Sequence, residues 1–138
     1  MITLPTTEEQ NQIQEFMTYR QSFLEGWFNG TVAPEALDEY AKYMAKDWIL
    51  VNNQTPAIFN NKPLFLQIWP SMYGRLKDKP INQSFDIKKQ QKLSENLFLL
   101  TFLETTDYPD KSISRPVSIM LQLADPIQVV YVHESSNL

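Results

Sequence analysis

Residue types that support several common chemistries are scarce or absent in this chain. It contains no cysteine, which excludes disulfides, thiol catalysis and cysteine-zinc sites. With a single histidine and aspartates that lack ligand spacing, we expect no metal site. Only three glycines are present and none forms a phosphate-cradling motif, so no cofactor is predicted.

Basic residues are also in short supply. Lysine and arginine number 12 against 16 aspartates and glutamates, which gives a formal net charge of −4. Because phosphate contacts need basic side chains, nucleic acid is not expected as a partner. No apolar run reaches the roughly 18 residues that span a membrane, and residues 1–10 lack the pattern of a signal peptide. We therefore expect a cytoplasmic protein with no membrane partner.

Apolar residues, by contrast, suffice for one sizeable core. The chain has 138 residues, 43% of them hydrophobic, which predicts a single domain over 1–138 with its core at roughly 8–136. Eight Phe, six Tyr and three Trp are available to line that core or a cavity within it.

The first of three predicted helices has the clearest local signals. It begins at a capping box, formed by Thr6 with Glu9 or by Thr7 with Gln10. Asn29-Gly30 is typical of a helix end. Its apolar face comprises Ile13, Phe16, Met17, Phe23, Leu24, Trp27 and Phe28, and Arg20 falls on the same face.

Two further helices and a short strand complete the first half. A second helix starts near Pro34 and carries a stripe formed by Leu37, Tyr40, Ala41 and Met44. Residues 48–51 read as a strand. A third helix begins near Asn61 and Pro63, and Pro70 should kink or end it, because proline removes a donor and clashes with the preceding turn.

From Ile81 onward the apolar period changes to two. Four strands are predicted near 81–88, 97–106, 113–123 and 127–135, joined by short turns, which indicates a mainly antiparallel sheet. Strict alternation would put Val129, Tyr131, His133 and Ser135 on one side of the last strand. Helices at the front and strands at the back predict an α+β class.

This order of elements resembles the nuclear transport factor 2-like superfamily, which includes SnoaL-like polyketide cyclases, ketosteroid isomerase and the association domain of calcium/calmodulin-dependent kinase. The residues that carry the resemblance are 26–30, 36–48 and 129–135. It implies a cystatin-like cone, with N-terminal helices packed in a strongly curved, mainly antiparallel sheet that leaves an internal pocket. It also implies a homodimer formed through the outer face of the sheet.

The same resemblance argues against steroid-type isomerisation. In ketosteroid isomerase-like members a carboxylate base follows the strand after the second helix, and the matching position here is Asn52. An amide cannot accept a proton at neutral pH. The tyrosine that polarises the steroid carbonyl falls on Phe23 or Leu24, and neither offers a donor. Whether the chain is an enzyme therefore stays open, with binding favoured over catalysis.

Polar residues on apolar strand faces are the candidate site. His133, beside Tyr131, could act as a general base or hold a ligand carboxylate, or it could be structural. Arg115 could clamp an acidic ligand, or pair with Glu104 on the neighbouring strand. The remaining candidates are pocket walls or plain core, and they are Tyr19, Trp27, Trp48, Asn52 and Trp69.

Three functions are compatible with these patterns. The first is a homodimer that binds a small, partly apolar and possibly acidic molecule. The second is a SnoaL-like enzyme of cyclase, isomerase or dehydratase type, with His133 as base and Glu104 or Arg115 as helper. The third is an association module with no ligand.

Overall fold

All the helices precede the last four strands, as predicted, and two further strands lie between the second and third helices. A computed structural model describes residues 3–52, 57–59 and 62–135, with side chains described except at 52 and 57–59. The helices are α1 (Thr7–Asn29), α2 (Ala36–Ala41) and α3 (Lys62–Ile68), followed by a short 3-10 helix (Trp69–Met72). The strands are β1 (Met44–Asn52), β2 (Ala57–Phe59), β3 (Asn82–Lys92), β4 (Leu97–Asp107), β5 (Ser112–Gln122) and β6 (Gln128–Glu134).

The start and end of α1 confirm the local signals. The Thr6 amide donates to Glu9 Oε1 at 2.9 Å and the Glu9 amide donates to Thr6 Oγ1 at 3.2 Å, which completes the capping box. Gly30 ends the helix with φ +71°, a left-handed conformation that suits glycine. These two signals fix the length of the long helix that lies across the sheet.

The second helix is shorter than predicted. Leu37, Tyr40 and Ala41 are buried on α2 as expected, but Met44 is the first residue of β1. Met44 pairs with Val129, and the Val129 amide donates to the carbonyl of Tyr43 at 2.6 Å. This long-range strand pairing overrides the helical spacing, and for the same reason β1 begins earlier than the predicted 48–51.

The third helix confirms the effect expected of proline. It changes from α to 3-10 geometry at Trp69, and Pro70 is the second residue of the 3-10 helix. The change orients Trp69 beside Phe65 at a ring-centroid distance of 4.5 Å. Both rings become walls of the pocket described below.

The six strands in the described part of the chain join one sheet in the order β2-β1-β6-β5-β4-β3. Four of the five neighbouring pairs are antiparallel, which confirms the mainly antiparallel prediction, and β1 pairs with β6 in parallel. Within the described ranges, no helix combines the length and apolarity needed to cross a bilayer.

The core lies between α1 and one face of this sheet, which we call the inner face. The sheet's part of the core is formed by alternate residues of the neighbouring strands β4 and β5. These residues are at most 1% exposed, and they are Phe98, Leu100, Phe102, Val117, Ile119 and Leu121. Ile13 and Met17 of α1 have no exposed surface. The opposite, outer face of β4 and β5 is half-buried or exposed.

Candidate functional site

A pocket of about 320 Å³ lies between the helices and the inner face of the sheet. This volume is at the lower end of the range for small-molecule sites. Apolar lining residues include Trp48, Leu50, Phe65, Trp69, Met72 and Val132. Polar lining residues are Arg20, Tyr40, Gln83, Glu104, Arg115 and Glu134. The pocket therefore combines apolar walls with several polar and charged groups.

Three aromatic rings form a connected wall. The rings of Trp48 and Phe65 meet edge to face with centroids 4.9 Å apart, and Phe65 contacts Trp69. Trp69 also lies 5.5 Å from Phe28 of α1. Because these rings support one another from three different elements, the wall is held in place without a ligand.

The charged groups begin with a cross-strand ion pair. Glu104 of β4 lies directly opposite Arg115 of β5. Glu104 Oε1 accepts hydrogen bonds from Arg115 Nε at 3.1 Å and from Nη2 at 2.9 Å, and Nη2 also donates to Glu134 Oε2 at 2.6 Å. Glu104 is 2% exposed, and these bonds pair its carboxyl group inside the protein. The pairing of Arg115 with Glu104, one of the two interpretations of the sequence, is what the structure contains.

Arg20 of α1 supplies the second cation. It is 4% exposed, and its Nη1 lies 3.9 Å from Glu104 Oε2, beyond hydrogen-bond distance. Its guanidinium carbon lies 5.7 Å from the ring centroid of Phe102, within the range of a cation–π contact. Arg20 thus meets the sheet where its inner face changes from apolar to charged.

The sequence explains how these charges come together. On β4, Glu104 continues the inward series of Phe98, Leu100 and Phe102. Arg20 lies three residues after Met17 and four before Leu24, so it shares the buried face of α1. One helix and the three strands β4, β5 and β6 therefore each carry one charged residue to the same end of an otherwise apolar layer.

The pKa values of Arg115 and Tyr40 are both raised in this environment. For Arg115, burial lowers the pKa, but the charges of Glu134 and Glu104 outweigh it and leave the pKa raised. For Tyr40, burial raises the pKa, against an opposing effect from the charge and hydrogen bonding of Arg20. Both residues therefore keep their protons across the physiological range.

The predicted site residues separate into two groups. Glu104, Arg115, Trp48 and Trp69 line the pocket together. Trp27 does not line it; the residue is buried in the core, and its indole N–H donates to the Trp69 carbonyl at 3.1 Å.

Tyr19 also lies away from the pocket. It borders a separate shallow cleft with Phe16, Tyr43 and the turn at 123–127. Its ring centroid is 5.0 Å from that of Tyr43. The ligand-binding role expected of Tyr19 stays a prediction that the pocket geometry does not support.

Tyr131 and His133 lie on the outer face, so the prediction that they share a side with Val129 is wrong. Successive pairs on β5 and β6 are Leu121 with Val129 and then Met120 with Tyr131, which leaves one extra residue on β6. This β-bulge interrupts the alternation. Beyond it, Val132 and Glu134 oppose the buried Ile119 and Val117, while His133 opposes Ser118 on the outer face.

Asn52 is the last residue of β1, and its backbone pairs with Glu134 of β6. Its side chain lies outside the described part of the structure. No role of the Asn52 amide is therefore assigned, and the base position implied by the resemblance stays an interpretation of the sequence.

Within the described ranges, no three Asp, Glu or His side chains come together as metal ligands. The groups available for binding are hydrogen-bond donors, carboxylates and aromatic surfaces. The arrangement can therefore enclose an apolar molecule and orient one polar end of it.

Sequence reasoning missed two charged residues of the pocket. Arg20 had a visible signal, since it is a cation on the apolar face of the first helix. Glu134 had none, because strict alternation placed it on the outer side and only the bulge brings it inward. Phe65 also lines the pocket, and helical spacing alone does not distinguish a pocket wall from core.

The fold and the pocket define an α+β protein of the cystatin-like cone type, and the architecture is that of nuclear transport factor 2-like proteins. Aln2 from Streptomyces aligns with a TM-score of 0.77 at 9% identity, over 98% of this chain and 95% of that one. A nuclear transport factor 2-like protein of unknown function from Shewanella oneidensis gives 0.70 at 16% identity, over 92% and 98%. A domain of unknown function with a cystatin-like fold from Nostoc punctiforme gives 0.66 at 12% identity, over 97% and 80%.

These likenesses confirm the predicted fold at near-complete coverage. The sequence matches no protein-family model, and no curated protein matches it significantly. At such low identity the likeness establishes fold and does not carry any activity to this chain, because this kind of fold hosts unrelated functions.

Proposed function

We propose that this protein binds a small, partly apolar molecule in the pocket and acts as a homodimer. The observation that carries the proposal is an aromatic wall of Trp48, Phe65 and Trp69 in the same pocket as the buried charged group. A concave, mostly apolar site with a few convergent polar groups is the usual form of a small-molecule site.

Binding without chemistry is better supported than catalysis with His133 as base. His133 opposes Ser118 on the outer face, so a base at this residue would act outside the pocket. The carboxylate best placed in the pocket, Glu104, accepts two hydrogen bonds from Arg115, and these occupy the lone pairs of one oxygen.

The test is a thermal-shift screen of small aromatic and alicyclic compounds against the protein and two matched variants. Leu50→Trp adds volume to the pocket lining, while Leu4→Trp adds the same volume at a position that is 80% exposed and outside the pocket. Compounds that raise the melting temperature of the unmodified protein should also raise that of Leu4→Trp, but not that of Leu50→Trp.

Two results would contradict the proposal. One is a broad screen in which no compound raises the melting temperature. The other is a set of active compounds whose effect is the same in Leu50→Trp as in the unmodified protein.

The homodimer is expected to form through the outer face. Leu99, Leu103, Met120 and Tyr131 present half-buried apolar surface there, whereas alternate residues of the edge strand β3 are polar. Met120→Glu should convert the dimer to a monomer in light scattering, because a charge in an apolar interface loses its hydration. Ser84→Glu, on the same face of β3, should leave the dimer intact. A chain that is monomeric without substitution would contradict the assignment.

A further inference from the structure

The guanidinium of Arg20 has unused hydrogen-bonding capacity inside the pocket. Its Nε and Nη1 are buried, and no partner accepts from them among the residues that the structure describes. The whole residue is 4% exposed and lines the pocket. Buried N–H groups are almost always paired, since leaving them unpaired is unfavourable. These two donors therefore indicate where a ligand acceptor belongs.

Arg115 lines the same pocket, but its guanidinium already has protein hydrogen-bond partners. Its Nε and Nη2 already donate to Glu104 and Glu134. The Arg115 side chain is also 28% exposed, so water can accept from its remaining Nη1 donors. The unpaired donors of Arg20 are buried, so Arg20 is the cation whose hydrogen bonding a ligand acceptor would complete.

The charges around Arg20 also restrict the ligand. Two cations, Arg20 and Arg115, face two anions, Glu104 and Glu134, so the formal charge of the group is balanced. A ligand carboxylate would add a third anion near Glu104, which is 2% exposed and poorly screened by solvent. A neutral oxygen acceptor would pair with one of the Arg20 donors without disturbing that balance.

We propose that the pocket selects a neutral ligand in which a carbonyl oxygen next to an aromatic or alicyclic ring accepts from one of the unpaired N–H groups of Arg20, on Nε or on Nη1. The ring would pack against Phe65 and Trp69. This inference rests on the proposed function, because it specifies which molecules the same pocket takes.

Three naphthalene compounds of similar shape provide the test. Acetylnaphthalene carries a neutral carbonyl, naphthoate carries a carboxylate, and isopropylnaphthalene carries no acceptor. Binding is followed by quenching of tryptophan fluorescence, since Trp48 and Trp69 line the pocket, and by calorimetry. We expect acetylnaphthalene to bind about tenfold more tightly than either of the other two, the change typical of one hydrogen bond to a charged group.

Two variants separate the donors from the charge. Arg20→Met should remove the preference for acetylnaphthalene over isopropylnaphthalene, while Arg75→Met, at an exposed arginine, should preserve it. Glu134→Gln leaves Arg20 in place and gives the group one excess positive charge, so naphthoate should gain about tenfold relative to acetylnaphthalene. If Arg20→Met does not fold by circular dichroism, the Glu134→Gln result decides.

The outcomes distinguish this inference from the proposed function. If all three compounds bind equally, or naphthoate binds best to the unmodified protein, the inference is wrong and the pocket remains a binding site. If the carbonyl preference survives Arg20→Met, or Glu134→Gln leaves the order unchanged, the inference is also wrong. If none of the three binds, the inference and the proposed function both fail.

Discussion

The two faces of strands β4 and β5 differ in burial and in the role of charge, although alternate residues of the same two strands form them. The inner face is fully buried along Phe98, Leu100 and Phe102 and then continues with the charged Glu104. The outer face presents half-buried Leu99, Thr101 and Leu103. Removing an apolar side chain should therefore cost more folding stability on the inner face than on the outer face.

This difference shows why the pocket is located at one end of the inner face. Apolar packing against α1 fills the layer up to Phe102, where the cation of Arg20 lies over the ring. Beyond it, charged side chains must be paired because they are buried. The result is the pocket, which is lined by aromatic rings on one side and by paired charges on the other.

The largest expected effect is the loss of an inner-face ring. Phe102→Ala should lower the free energy of unfolding by about 3–5 kcal/mol, because it leaves a cavity beneath α1. Leu103→Ala, one residue along on the outer face, should lower it by about 1 kcal/mol. Urea denaturation of both variants measures the contrast, and equal losses would contradict the assignment of the two faces.

The next effect tests the charges of the inner face. Glu104→Ala removes the carboxylate that faces both Arg115 and Arg20. We expect a loss of about 2 kcal/mol, at the low side for a broken buried pair, because Arg115 is 28% exposed and can regain hydration.

The control for this loss is Glu95→Ala, at an exposed position in the turn between β3 and β4, which should change stability by less than about 0.5 kcal/mol. Denaturation midpoints of the two variants are compared at one ionic strength. A Glu104→Ala variant as stable as Glu95→Ala would show that the buried charges are not held by that carboxylate.

The smallest expected effect concerns Tyr19 of α1, which lies away from both faces, and the loss of stability at high pH. Burial raises the pKa of Tyr19 to about 12, from an ordinary value of 10.0. Below pH 10 both the folded and unfolded states keep the proton, so the stabilisation is fully present. Between pH 10 and about 12 the unfolded state loses it first, so stability falls as the pH rises.

Tyr19→Phe should therefore remove part of this alkaline loss while leaving the melting temperature at neutral pH nearly unchanged. Melting curves recorded from neutral pH into the alkaline range measure the difference between the two proteins. Parallel curves across that range would show that Tyr19 has no raised pKa in the folded protein.

Much of the fold could be predicted because its signals are local. The capping box at Thr6, the stop at Gly30 and the change of helix type at Pro70 each depend on residues within one or two turns. The alternation along β4 and β5 needs only the period of two. Met44 was misassigned because its strand pairing with Val129 is long-range, and helical spacing carries no information about it.

The site could be predicted only in part, for related reasons. The pairing of Glu104 with Arg115 was anticipated as an alternative, since a charge on an apolar strand face needs a partner. The incomplete pairing of Arg20 depends on the distance between α1 and β4, which no sequence pattern specifies. The side on which His133 lies depends on the bulge in β6, and no residue type there marks it.

The bulge in β6 has a further consequence for how a chain of this kind can change. The last residues of the strand are an imidazole followed by a carboxylate, and only one of them can face the cavity. Deleting or inserting a single residue between the bulge and the strand end would exchange them. One insertion or deletion would thus replace Glu134 by His133 in the pocket lining, which would change the charge and the hydrogen-bonding groups of the interior without any substitution.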